Sequence, residues 1–346
     1  MNIEQKIGQL FLLGFQGDTV NPSHPICRDI ESFNLGGVVL FDRLLAKGLD
    51  NNNVISATQL RELTGSLQSL SDTPLLICVD QEGGLVCRLN EKRSFPSTEA
   101  AGELGKKDDP AFTASQARIT AILLASSGIN FNFAPVVDVN VYPQNPVIGK
   151  LGRSFSSNPG KVVRHARSWV DSHRQHHILS CLKHFPGHGS SHDDSHLGFV
   201  DITATWEKIE LDPFRQLIEE GFADAIMTGH LFHSDLDATY PATLSAKIIT
   251  GLLRQKLHFD GLVITDDLQM KSITDHYGLE EATCMALAAG ADMIIVGNNL
   301  DFDENILPKL IDCVRRAIDQ RQLSHERIIE AYDRVQVAKQ KITYGT

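Results

Sequence analysis

Eight short apolar runs recur along the 346-residue chain, and their length limits what they can become. They are QLFLLGF (9–15), GGVVLF (36–41), PLLICVD (74–80), INFNFAPVVD (129–138), HILSCLKH (177–184), ADAIMTGH (223–230), GLVITDD (261–267) and ADMIIVGN (291–298). Several are too short and too continuously apolar for amphipathic helices. They are rich in Val and Ile, the composition of parallel strands covered on both faces. Helix-like stretches lie between them at 112–127, 161–175, 206–220 and 280–289, and a helical pattern fills about 304–340 after the last run. Asp212-Pro213 makes a poor helix interior, so the 206–220 stretch is expected to break there.

Eight strand–helix repeats within roughly 300 residues fit an α/β fold of the (β/α)8 TIM-barrel kind. A doubly wound sheet is the rival, but no GxGxxG follows the first strand, and Gly187-His188-Gly189 follows a mid-chain strand without the later glycine. No Ser/Gly-rich linker interrupts the chain. The expectation is therefore one domain over 1–346, with the C-terminal helical segment at its end.

Hydrophobic residues make up 42% and charged residues 22%, enough for a large core without staples. A net charge of −11 argues against a nucleic-acid surface, which needs clustered Lys and Arg. Cysteines stand at 27, 78, 87, 181, 284 and 313 with no CxxC pair, a pattern that reads as buried free thiols in a reducing compartment. The N-terminal MNIEQKIGQLFLLGF has no basic leader, and no span of eighteen apolar residues occurs. A cytoplasmic protein without membrane contact, monomeric and without a cofactor, is expected.

Barrel active sites lie at the C-terminal ends of the strands. Those ends carry Asp80, Asp138, the pair Lys183 and His184, His230, Asp266 with Asp267, and Asn298 with Asn299. Buried singly, such groups would be costly; gathered round one mouth they make a polar pocket for a ligand with many hydroxyls. Asp138 and Asp267 taken alone read more readily as caps of the next helix. Asp80 belongs to VDQEGGLVCRL (79–89), whose paired glycines allow a sharp turn that could return Arg88 to the mouth. Arg153, in LGRSF (151–155), gains weight because a carbohydrate site needs donors to hydroxyls.

KHFPGHGSSHDDSH (183–196), VDQEGG (79–84) and ITDDLQM (264–270) together resemble the peptidoglycan-recycling β-N-acetylglucosaminidases of glycoside hydrolase family 3. The resemblance runs from LFLLGF to about residue 300. It implies a (β/α)8 barrel that removes terminal β-linked N-acetylglucosamine from N-acetylglucosaminyl-anhydromuropeptides with retention of configuration. By position, Asp266 matches the family's nucleophile, and His196 with Asp194 matches its acid/base dyad. A histidine suits that task, since its ordinary pKa near ~6.5 lets it give and take a proton at neutral pH. Asp80, Arg88, Arg153, Lys183 and His184 fall where the family places its sugar-binding side chains. Leu85 stands where an arginine is usual, Gly229 where alanine is frequent, and Thr265 where serine is more common. No second α/β domain is read after the barrel, which favours the N-acetylglucosaminidase branch over the β-glucosidases.

Two rivals remain. His188, His192 and His196 are spaced four apart and, with Asp193 or Asp194, could furnish a metal-dependent hydrolase. Pro186, Gly187 and Gly189 oppose the continuous helix this requires, and the first strand ends in GFQGD without an HxH, so no metal site is expected. The other rival is a catalytically silent sugar-binding barrel.

Overall fold

The computed structural model describes residues 2–194 and 198–343. All eight apolar runs form strands: Phe11–Gly14, Gly37–Val39, Leu76–Val79, Phe131–Asn132, Leu179–Phe185, Ala225–Thr228, Leu262–Thr265 and Ile294–Val296. Every residue in them is buried, the result of packing between a filled interior and an outer layer of helices. Their parallel register runs in sequence order, with Leu12 opposite Gly37, Val38 opposite Ile77, Cys78 opposite Phe131, Phe131 opposite Leu179, Leu182 opposite Ile226 and Ile226 opposite Val263. Leu12 also pairs with Ile295 of the eighth strand. The circle is completed by a bridge from Ile264 to Met293, with the Thr265 amide donating to the Met293 carbonyl at 3.1 Å. The sheet is the (β/α)8 barrel anticipated from the runs.

The helices follow the expected places with local differences. Pro110–Ser126 begins on an Asp109 cap with Pro110 in its first turn, and Pro159–Arg174 begins likewise on Asn158. The 206–220 stretch does break at Asp212: a 3-10 turn, Lys208–Leu211, leads into Asp212–Glu219. Pro213 then sits in the first turn, where its missing N–H costs nothing. The C-terminal segment is two helices, Ile306–Asp319 and His325–Thr343, because Arg321 adopts a left-handed φ of 59° between them. Helices at Pro25–Phe33 and Ala57–Ser69 were not singled out from the sequence. Cys27, Cys78 and Cys181 are buried free thiols, but Cys87, Cys284 and Cys313 are only partly covered. Among the described residues no helix is long and apolar enough to cross a membrane.

Charge closes the end of the barrel opposite the strand C-termini. Asp292, fully buried just before the eighth strand, pairs with Arg254, with Arg327 at 2.7 Å and with Arg334 at 3.3 Å. The last two reach it from the C-terminal helix. One turn further along that helix Lys339 is buried, its Nζ donating to Oε1 of the buried Gln9 at 2.8 Å.

Burial pulls the Lys339 amine down to about 7, partly opposed by the neighbouring Cys78. In the unfolded chain a lysine holds its proton to about pH 10.4. Between those values the unfolded state binds more protons, so this residue makes stability rise with pH through that window, and its full penalty applies below it. Lys339→Met is therefore expected to raise the melting temperature most at about pH 6 and progressively less towards pH 10. Thermal melts at both ends check this; an equal offset at the two pH values would contradict it.

Candidate active site

The third strand delivers two acids to the mouth. Asp80 and Glu82 are two residues apart in extended backbone, so they point the same way, while Gln81 between them points back. Gln81 accepts from the Arg88 amide at 3.1 Å and the Leu89 amide at 3.0 Å, and donates to the Leu89 carbonyl at 3.0 Å. Those bonds fold 81–89 into a hairpin and bring Arg88 back to Asp80, with 3.4 Å between guanidinium and carboxylate. The fifth strand supplies Lys183, whose ammonium lies 2.8 Å from Asp80 and 2.7 Å from Glu82. The loop after the fourth strand supplies Arg153, which grips Glu82 with two parallel bonds of 2.8 and 2.7 Å.

These pairings set the charge states. Burial alone would raise the Glu82 carboxyl, but Arg153 and Lys183 pull it down to about 2. Asp80 is likewise lowered, against its burial, by Lys183 and then Arg88. Lys183 is raised: burial works against its charge, and Asp80 and Glu82 more than offset that. The result is a cluster in which Asp80, Glu82 and Lys183 are held in their charged forms at neutral pH.

His184, next on the fifth strand, is oriented from below. Asp138 accepts from the His184 amide at 3.0 Å and lies 2.8 Å from its Nδ1. On the other side Nε2 faces the Arg153 guanidinium at 3.4 Å. A guanidinium only donates, so the partners select the tautomer with the proton on Nδ1, directed at Asp138. Asp138 is fully buried and, despite that burial, its carboxyl is lowered by His184 and His188. It is thus the support of His184 and does not cap the next helix. Asp267 does serve local backbone, accepting from the Gln269 and Gly297 amides at 3.0 Å each.

Asp266 directly follows the seventh strand. One of its carboxylate oxygens accepts from the Asp267 amide at 2.8 Å, and its own amide donates to the Thr228 carbonyl at 3.1 Å. His230 steadies the same turn through the Asp267 carbonyl at 2.9 Å and Thr243 at 2.8 Å.

One cavity of about 330 Å³ opens among these groups. Asp80, Arg88, Arg153, Lys183, His184, Asp194 and Asp266 all line it, together with Phe41, Phe133, Met227 and Met270. Seven of the eight residues singled out from sequence therefore meet at one place; the eighth, His196, lies outside the described residues. The metal reading needed His188, His192 and His196 together. His188 instead engages Ser191 through Nδ1 at 2.7 Å, and burial holds its ring down to about 4. His192 packs on the Tyr142 ring at 4.3 Å. Among the described residues no group of three or more His, Cys, Asp or Glu is placed to hold a metal.

Sequence reasoning missed Glu82 as a site residue and read Asp138, one of the strand-end groups, more readily as a helix cap. A signal for Glu82 was available in its two-residue spacing from Asp80; for Asp138 nothing local distinguished support from capping.

The glycosyl hydrolase family 3 N-terminal domain profile matches residues 2–338. The chain belongs to that family. A β-hexosaminidase A of Pseudoalteromonas piscicida is 33% identical over 99% of this chain, and a β-hexosaminidase of Tolumonas auensis is 37% identical over 77% of it and 76% of its own length. Among solved structures, a family 3 β-N-acetylglucosaminidase of a Paenibacillus species superposes with a TM-score of 0.89 at 33% identity, covering 99% of this chain. A β-N-acetylhexosaminidase of Beutenbergia cavernae gives 0.85 at 28% identity over 98% of this chain and 99% of its own. The chain spans 62% of the length of the Pseudoalteromonas protein and 63% of the Paenibacillus one.

Glu82→Gln keeps the shape of this family 3 site but removes the charge that balances Lys183 and Arg153. Breaking a buried pair from one side costs about 3 kcal/mol or more. Urea denaturation should show a loss of that order; a change under about 1 kcal/mol would mean the cluster is not mutually supported.

Proposed function

We propose that this chain is a single-barrel retaining exo-β-N-acetylglucosaminidase, with Asp266 as nucleophile and His196, paired with Asp194, as general acid and base. The observation that carries this reading is that Asp266 and Asp194 line the same cavity as the charged cluster of Asp80, Arg88, Arg153 and Lys183, with His184 beside it. The family membership and the names of the relatives support it. The muropeptide substrate rests on the sequence resemblance, and the cytoplasmic setting on the pattern of free cysteines.

In this mechanism the cluster holds the terminal sugar. Asp80 accepts from hydroxyls, while Lys183 and Arg88 donate to them. His184, held by Asp138 and Arg153, presents its edge to the ring and the acetamido group. The cavity, at the small end of the roughly 300–1,000 Å³ range of ligand sites, suits one terminal sugar and so exo action. The Asp266 carboxylate attacks the anomeric carbon as the glycosidic bond breaks, and His196 gives its proton to the leaving oxygen. A glycosyl ester on Asp266 results. His196, now neutral, takes a proton from water, which attacks the same carbon and releases Asp266.

Release of 4-nitrophenol from its β-N-acetylglucosaminide and its β-glucoside, each with and without EDTA, tests the reading. Turnover of the acetamido sugar alone, indifferent to chelator, is expected. Loss with EDTA would favour the metal-dependent alternative, and no turnover of either sugar by folded protein would favour a silent binding barrel. Asp266→Ala should fold normally and lose at least about 10³-fold in kcat, because the covalent route goes with the nucleophile. Unchanged hydrolysis in that variant would overturn the assignment.

A further inference from the structure

The loop that carries Asp194 and His196 is anchored by a buried acid that the mechanism above does not use. Glu210 lies in the 3-10 turn Lys208–Leu211 and is fully buried. Its Oε2 accepts from the Gly189 amide at 2.9 Å and the Ser190 amide at 3.2 Å, and its Oε1 accepts from the Glu207 amide at 3.2 Å. Four residues earlier, Trp206 donates its indole N–H to the Pro186 carbonyl at 3.2 Å. One short stretch after the fifth strand's loop therefore grips both ends of segment 186–190.

The opposite side of that segment is held as firmly. Asp138 accepts from the His188 amide at 2.8 Å, Asn145 donates to the His188 carbonyl at 2.7 Å, and the Tyr142 amide donates to the Gly189 carbonyl at 3.1 Å. The glycines are what let these walls close. Gly187 sits at φ +125°, and a Cβ there would come within 2.6 Å of Glu210 Cβ; at Gly189 a Cβ would fall 1.6 Å from the Val139 carbonyl oxygen. Asp194 lines the active cavity only four residues beyond Ser190.

We infer that Glu210 is a positioning residue for proton transfer: by fixing the Gly189 and Ser190 amides it sets the course on which the loop brings Asp194 to the cavity. This rests on the reading of that loop as the acid/base loop. A fully buried carboxyl is costly unless the structure uses it. Burial, together with the charge of Asp138, lifts Glu210 to about 7, and the hydrogen bonds from Ser190 and the Glu207 amide oppose the rise. The charge-bearing neighbours are Asp138, from the loop after the fourth strand, and Glu207, from its own stretch. The carboxylate is thus held ionised only as far as the loop amides meet it, so its charge and the loop's placement are linked. Proton transfer is sensitive to such placement, since a displacement of about 1 Å can cost on the order of 10²-fold in rate.

The test is kcat/KM over a series of aryl β-N-acetylglucosaminides running from good to poor leaving groups, for the wild type, Glu210→Gln, Glu210→Ala and His196→Ala. Each rate is normalised to folded protein by thermal melting. A misplaced acid matters most where the leaving oxygen most needs a proton. Glu210→Ala should lose about 10- to 100-fold on poor leaving groups and only a few-fold on good ones, with KM changed less than about two-fold because the sugar cluster is untouched. Glu210→Gln keeps one acceptor oxygen and should fall between; it carries the same comparison should Glu210→Ala not fold. Equal losses across the series in the Glu210 variants, with His196→Ala showing the steep dependence, would overturn the inference and reduce Glu210 to a structural acid. A flat series in His196→Ala itself would overturn the acid/base reading and the inference with it.

Discussion

The ammonium of Lys183, buried at the end of the fifth strand between Asp80 and Glu82, is the contact on which the mouth of this barrel depends. Taking such a group out of water costs several kcal/mol per ion, and a close opposite charge repays it only where the geometry is good. Here two carboxylates lie within 2.8 Å. One of them, Glu82, is held in turn by the two-pronged grip of Arg153, a geometry for which a planar guanidinium is suited and a lysine is not. Arg153 then meets His184, and His184 rests on Asp138. Third strand, fourth loop and fifth strand are thereby locked to one another through side chains rather than through the sheet alone.

Such a lattice has a functional consequence. Donors and acceptors that are already ordered and already charged need not reorganise for a ligand such as the proposed sugar, which makes their interaction with it worth more. The nucleophile candidate, Asp266, is fixed separately, by backbone contacts at the end of the seventh strand. The proposed acid/base pair belongs to the segment after the fifth strand, whose root is clamped by Asp138 on one side and Glu210 on the other. Asp138 belongs to both parts: it supports His184 in the charged cluster and holds the His188 amide in the loop.

The barrel was legible because burial on both faces leaves a mark that survives in one sequence: short, unbroken runs of Val, Ile and Leu. Polar residues placed immediately after such runs, Asp80, Lys183, His184 and Asp266 among them, were legible for the complementary reason that nothing else accounts for them so economically. The remainder depends on partners far away in sequence. Arg153 meets Glu82 across 71 residues, His184 meets Asp138 across 46, and Gly189 meets Glu210 across 21. No local pattern encodes those distances, so Glu82 looked like part of a turn, Asp138 like a cap, and Glu210 was one residue within a helix-like stretch. The break between the two C-terminal helices was hidden for a similar reason, since the left-handed residue there is an arginine and neither Gly nor Pro marks the place.

The covalent role of Asp266 is the claim that most directly separates this account from its rivals. A 5-fluoro N-acetylglucosaminyl fluoride slows both chemical steps while its good leaving group keeps the first one accessible, so a glycosyl-enzyme should accumulate. Digestion with trypsin releases Asp266 in the peptide Leu257–Lys271, and mass spectrometry with fragmentation reads where the sugar is attached. The account predicts a single fluorosugar ester on Asp266, absent from Asp266→Ala. Turnover of the fluoride with no adduct, or with release of an oxazoline formed by the substrate's own acetamido group, would contradict it.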